Sequence, residues 1–137
     1  MSTAALKTSQ VAFEAATDRP FAATVDRCRE LLAAEGFGVL TEIDVQATLK
    51  KKLDVDREPY LILGACHPPS AHRALTAAPE VGVLLPCNVT VSVEGGRTVV
   101  RAMNPAGALG LLHREGIEEV AAEVGVALRR VVAGATA

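Results

Sequence analysis

The sequence predicts an α+β fold: a two-layer sandwich, with a mainly antiparallel sheet and helices packed on one face. Three observations predict it. Residues Asn88 to Met103 read NVTVSVEGGRTVVRAM, two alternating apolar and polar runs joined by Gly95-Gly96, a strong hairpin pattern. Two stretches, from Phe21 and from Ile117, carry apolar residues at helical spacing along one face. Strand-like and helix-like segments are mixed along the chain, so the helices can cover one face of the sheet.

Residues 1–8 are expected to be a frayed tail, 9–132 a single domain, and 133–137 a second frayed tail. Val11, Phe13 and Ala15 alternate with polar or small residues and predict a half-buried strand from Ser9 to Ala16. Asp18 then serves as a cap, with Pro20 near the first turn of a helix from Phe21 to Glu35. Phe21, Val25, Cys28 and Leu32 form its buried stripe, and Gly36 stops it.

Phe37 to Ile43 alternates as a second strand. Asp44 caps a short helix from Val45 to Leu53, with Val45, Leu49 and Leu53 as its stripe and Lys50 to Lys52 on the wet side. Asp54 to Glu58 is a charged loop. Tyr60 to Cys66 is continuously apolar, as in an interior strand covered on both faces. Pro68 and Pro69 end it, and Ser70 to Ala77 is helical up to Pro79. Val81 to Leu85 is expected to restart the sheet, with Pro86 tolerated at an edge or bulge. After the hairpin, Asn104-Pro105 turns the chain into a helical stretch weakened at Gly107, Gly110 and Gly116. Ile117, Val120, Val124, Leu128 and Val131 mark the final core-facing helix.

The bulk composition narrows the function. With 137 residues, 50% of them hydrophobic, the chain can fold without metal or disulfide support. Its mean hydropathy of +0.27 is that of an ordered chain. A net charge of -2 gives no field for nucleic acid or an anionic membrane. Aromatics are 3%, too few for a base-stacking platform. No apolar run approaches a membrane span. MSTAALKTSQVAF lacks a long apolar stretch after its lysine, which points to a cytoplasmic chain with three free thiols.

Four segments together are similar to the domain of unknown function 302 family. They are EIDVQATLKKKL (Glu42 to Leu53), PYLILGACHP (Pro59 to Pro68), LLPCNVTV (Leu84 to Val91) and Met103-Asn104-Pro105. The resemblance spans Val11 to Val131. It implies a compact α+β domain, often a stand-alone bacterial protein, and a homodimer, but no established reaction. Two positions depart from the family pattern: His67 stands where asparagine is expected, and Asn104 where aspartate is expected.

Chemistry concentrates between Pro59 and Asn88. If the runs ending at Cys66 and beginning near Leu84 are neighbouring strands, Cys66, His67 and Cys87 converge. Two thiolates and an imidazole are soft ligands suited to zinc or copper. Cys66 also precedes a helix N-terminus, where the dipole favours a thiolate. Equally, Cys66 and Cys87 fit as small buried residues at strand ends. Cys28 belongs to a core stripe, His72 to a wet helix face, and His113 to the face of the last helix. Glu42 and Asp44 are close enough for a cation or acid–base role, although Asp44 already caps a helix. No catalytic-triad order, HExxH or phosphate-loop pattern occurs.

Three functions follow. The first is a small cytoplasmic binding module, self-associating as a homodimer, with a small-ligand or soft-metal pocket formed by Cys66, His67, Cys87, Asn88 and Glu42. The second is an enzyme using Cys66 as nucleophile or redox thiol, assisted by Glu42 or His67. The third is an interaction protein that pairs through an exposed sheet edge and has no small-molecule site.

Overall fold

The computed structural model of the protein describes residues 6–137. Six strands form one antiparallel sheet: β1 (Lys7–Thr8), β2 (Ala12–Thr17), β3 (Gly38–Asp44), β4 (Tyr60–Cys66), β5 (Cys87–Glu94) and β6 (Arg97–Met103). Their order is β1-β2-β6-β5-β4-β3. Five helices accompany them: α1 (Phe21–Ala34), α2 (Val45–Leu53), α3 (Pro68–Ala77), α4 (Pro105–Leu109) and α5 (Ile117–Thr136). The expected α+β sandwich is the fold observed.

Strand alternation sorts the core from the open face. Phe13 and Ala15 of β2, Val100 and Ala102 of β6, Val89 and Val91 of β5, and Leu61 and Leu63 of β4 are buried in one cluster with helix residues. From α1 come Val25, Cys28 and Leu32, and from α5 Val120, Val124, Leu128, Val131 and Val132. Each large side chain so buried contributes about 1.5–3 kcal/mol. The stripes read from residue spacing are these faces. The helices meet closely because small residues sit between them. A Cβ at Gly134 of α5 would stand 2.9 Å from Leu31 Cδ1 of α1.

The hairpin forms as expected, with Gly95 and Gly96 both at positive φ (59° and 78°) between β5 and β6. Asp44 caps α2 through a bond from the Ala47 N–H to its Oδ1 at 2.9 Å. The open face of the sheet carries a polar network. Arg101 reaches Glu14 at 2.7 Å and Glu94 at 2.5 Å, and the Ser92 hydroxyl donates to Glu94 at 2.6 Å.

Several local expectations are corrected. Residues Val81 to Leu85 do not restart the sheet: Pro79–Leu84 is a 3-10 helix. Its alternation is misleading, since Val81 is fully buried while Val83 is 87% exposed. Pro79 fixes the first turn, and the chain needs a tight path from α3 back to the sheet. Pro86 then follows a cis peptide bond and lies just outside the ladder, which β5 enters at Cys87. Asp18 does not cap α1. Pro20 holds the cap position and Asp18 pairs with Arg97 at 3.0 Å. The helical cover leaves Tyr60 and Ile62 of β4 half-exposed on the open face, so this strand is covered on one side.

Where they are described, the two chain ends take regular structure. Lys7–Thr8 pair with β2 as an edge strand, while Met1 to Ala5 lie outside the described residues. At the other end α5 continues through 133–136, with Ala135 fully buried. The Arg19 guanidinium donates to the Ala135 and Ala137 carbonyl oxygens at 2.6 and 2.8 Å, satisfying groups that a helix end leaves open.

Candidate functional site

The ends of β4, β3 and β5 meet the start of α3 around a cavity of about 330 Å³. Its position follows from local sequence chemistry. Pro68 cannot extend the β4 ladder, because it has no N–H, and it suits the first turn of a helix. The chain therefore leaves the sheet at Cys66 and enters α3 with His67 at the cap position. Leu85 and Pro86 bring the chain back beside it. Between these turns, small side chains (Ala65, Ala71, Ala74 and Cys87) leave space that a bulkier core would fill.

Cys66, His67 and Cys87 all border this cavity. In register, Ala65 is the residue opposite Cys87, and Cys66 is one position further along β4. Strand alternation thus directs Cys87 with Ala65 toward the helices and Cys66 toward the other face. The burial follows suit: Cys87 is 7% exposed, and Cys66 is half-buried at the strand end. Burial pushes the Cys87 thiol up to about 11, and a charge on Cys66 would add to this.

The His67 ring is held from three sides. Its Nδ1 lies 2.7 Å from Ser70 Oγ, one helical turn ahead. Its ring centroid is 5.3 Å from that of Phe37, tilted by 52°. Its Cδ2–Nε2 edge lies over Gly36, where a Cβ would stand 3.2 Å from Cδ2. Gly36 has a φ of 85°, so glycine there serves both the helix stop and the approach of the imidazole.

The other candidates stand outside this group. Glu42 belongs to the outer strand and pairs with Arg29 of α1 at 2.8 Å. Asn88 is exposed, and it is the register partner of Gly64. Neither borders the cavity. Cys28 is fully buried, and its thiol is pushed up to about 12 by burial. His72 is exposed on α3 as expected. His113 is not on the last helix: it sits exposed in the preceding turn at a φ of 50°.

Among the described residues, no group of three His, Cys, Asp or Glu side chains could hold a metal ion. Cys66 and Cys87 are offset by one position in the register of β4 and β5, and His67 is engaged with Ser70 and Phe37. A Ser–His–acid arrangement is not assembled at the cavity either, because no Asp or Glu borders it to orient the ring.

Sequence reasoning missed much of the lining. Ser70 could have been found, since it lies three residues after His67 on a helix. Leu109, Val120 and Val124 carry no local signal, because apolar residues at a cavity wall and in a filled core have the same spacing.

No described helix is long and apolar enough to cross a membrane. No curated protein matches the chain. The fold is similar to the crystal structure of an uncharacterized conserved protein DUF302 from Bacillus stearothermophilus. The two chains are 30% identical, with a TM-score of 0.83 over 88% of this chain and 94% of that one. The family described as "Domain of unknown function DUF302" matches residues 13–135, nearly the whole length, and the chain belongs to that family.

Proposed function

We propose that this chain is a small cytoplasmic binding module whose ligand occupies the cavity at the end of the sheet. One observation carries the reading. A space of about 330 Å³ has mainly apolar walls and gathers Cys66, His67 and Ser70 where β4 passes into α3. Ligand sites have this form: concave, mainly apolar, with a few polar groups to fix orientation. Binding is favoured over thiol chemistry because Cys87, the natural resolving partner for Cys66, is buried with its thiol raised to about 11.

The test uses Cys66 as reporter. Small-molecule fragments that bind by ligand-observed NMR slow alkylation of Cys66 in the native chain. Leu75→Trp, which places a bulky ring at the half-exposed cavity rim, abolishes both effects. If fragments bind but neither protect Cys66 nor respond to Leu75→Trp, the cavity is not the site.

A second observation favours self-association. Residues 38–55 form an arm with little core of its own: α2 buries no residue, and β3 is the outer strand of the sheet. Leu40, Ile43, Leu53 and Val55 on this arm are 68%, 48%, 66% and 43% exposed. A nine-residue helix is marginal by itself in water, and an uncovered sheet edge invites pairing. A second copy of the chain laid on this arm would cover both. Sedimentation velocity should report a dimer that Ile43→Glu and Leu53→Glu dissociate. A wild-type monomer at micromolar concentration would refute the pairing and leave the cavity reading intact.

A further inference from the structure

The cavity restricts the chemistry of what it can hold, and this step rests on the binding role proposed above. No Asp, Glu, Lys or Arg borders it. An ionised ligand would lose its hydration there without gaining a counter-charge, which is strongly unfavourable. A helix N-terminus beside the cavity would ordinarily offset this for an anion, through free N–H groups and the helix dipole. Here α3 opens with Pro68 and Pro69, neither of which has an N–H. The Ala71 N–H is already bonded to the His67 carbonyl oxygen at 2.9 Å. Of the first four positions, only Ser70 keeps an uncommitted backbone donor, too little to hold an anion.

What remains is uncharged: the Thr41 hydroxyl, the Cys66 and Cys87 thiols, and the His67–Ser70 pair, which is the strongest hydrogen-bonding group among them. The Ser70 side chain is buried, with the residue 6% exposed, and its hydroxyl has the His67 ring as partner. If Ser70 donates to Nδ1, the proton of the neutral ring sits on Nε2. If Nδ1–H donates to Ser70, Nε2 is an acceptor. The pair can therefore meet either a donor or an acceptor on a neutral ligand. The walls along α3, α4 and α5 are hydrocarbon, from Ala74, Leu109, Val120 and Val124.

We infer that the ligand is a neutral, largely hydrocarbon molecule ending in one hydroxyl or carbonyl group, with that group at His67 and its chain along α3 and α5. At about 30 Å³ per water-sized atom, the space of about 330 Å³ takes roughly ten non-hydrogen atoms. An eight-carbon alcohol has that size.

Calorimetric titration of the full chain with straight-chain alcohols from butanol to dodecanol, with octanoate and with toluene tests this. Affinity rises about fourfold per added methylene and stops rising near octanol, where the space is filled. Octanoate at about pH 8, where it is ionised, binds at least about tenfold more weakly than octanol. His67→Phe keeps the ring volume and weakens octanol about fivefold, leaving toluene unchanged. Leu75→Trp, with its fold checked by circular dichroism, weakens every probe. Octanoate binding as well as octanol, or octanol indifferent to His67→Phe, overturns the ligand class while toluene still sensitive to Leu75→Trp keeps the site. No probe sensitive to Leu75→Trp overturns both the class and the site.

Discussion

Replacing Gly64 by alanine places a methyl group where the sheet has no room for one. Gly64 lies inside β4, in register with Thr41 of β3 and Asn88 of β5. A Cβ built there collides with Thr41 Oγ1 and stands 2.9 Å from Pro86 Cγ. Thr41 can turn its side chain away, at about 0.5–1.5 kcal/mol if it leaves its rotamer well. Pro86 cannot rotate, and moving its ring is an overpacking cost of about 1–3 kcal/mol. Against this, alanine is favoured over glycine in a strand by about 0.5–1 kcal/mol. The net expected loss is about 1–3 kcal/mol. For a chain of 137 residues, an unfolding entropy of about 2 cal/mol/K per residue makes this a fall in Tm of about 3–10 °C. Urea unfolding followed by circular dichroism measures the loss directly. Thr41→Ala removes the struck oxygen, so the double variant should recover at least about 0.5 kcal/mol relative to the sum of the single changes. Wild-type stability in Gly64→Ala, or strict additivity with Thr41→Ala, would refute the close approach of β3 and β4 at this point.

Three further outcomes are expected. Hydrogen bonds from Arg101 and then Ser92 hold the Glu94 carboxyl down from 4.5 to about 2. Its folded pKa is depressed, so its contribution is present above pH 4.5 and disappears as the pH falls toward about 2. Because the Glu94 side chain is 41% exposed, the contribution is about 1 kcal/mol after screening. Urea midpoints of wild type and Glu94→Gln should differ at neutral pH and converge near pH 2; a constant difference contradicts the assignment. The Cys28 and Cys87 thiols, raised by burial to about 12 and about 11, should resist iodoacetamide in the native chain while Cys66 reacts. These two raised values imply stability that is intact below about pH 9 and falls above it, as the unfolded chain releases thiol protons that the fold retains. A flat alkaline profile would contradict their burial. Ala74→Leu, at a residue 2% exposed on the cavity wall, should add up to about 2 kcal/mol of stability by filling space and should weaken octanol binding more than tenfold. Lower stability with unchanged binding would mean that Ala74 faces a filled core.

Much of the architecture was legible because it rests on periodicity. The stripe Val25, Cys28, Leu32 is buried as its spacing implies, and the alternation of Val89, Val91 and the Gly95-Gly96 turn forms the predicted hairpin. Where prediction failed, tertiary packing overrode a local pattern. Val81, Val83 and Leu85 alternate like a strand, but both sheet neighbours of β5 are already supplied by β4 and β6. The end of α5, Ala133 to Thr136, reads as weak and frayed because its side chains are small. They are small because α1 lies against them, with Leu31 touching the space at Gly134 and Arg19 holding the last carbonyls. The site was half legible. The Cys-His-Pro-Pro junction announces where a strand stops, but residues from α4 and α5 reach it only through the fold.

The register of one strand pair decides between the alternatives for the two thiols. A strand reverses the direction of its side chains at every residue, so a shift of one position exchanges the faces. With Cys66 opposite Cys87, the sulfurs would lie on one face at a distance suited to a shared metal or a disulfide. The observed partner of Cys87 is Ala65, so Cys66 and Cys87 are offset by one residue. The same offset sets Ala65, the smallest chiral side chain, beside Cys87 on the helix side, next to Ala74 and below α5. Shallow side chains on both walls keep that corner from closing. The register that separates the sulfur ligands is therefore also the register that leaves an apolar space between β4, α3 and α5, which is why the geometry argues for a neutral organic ligand rather than an ion.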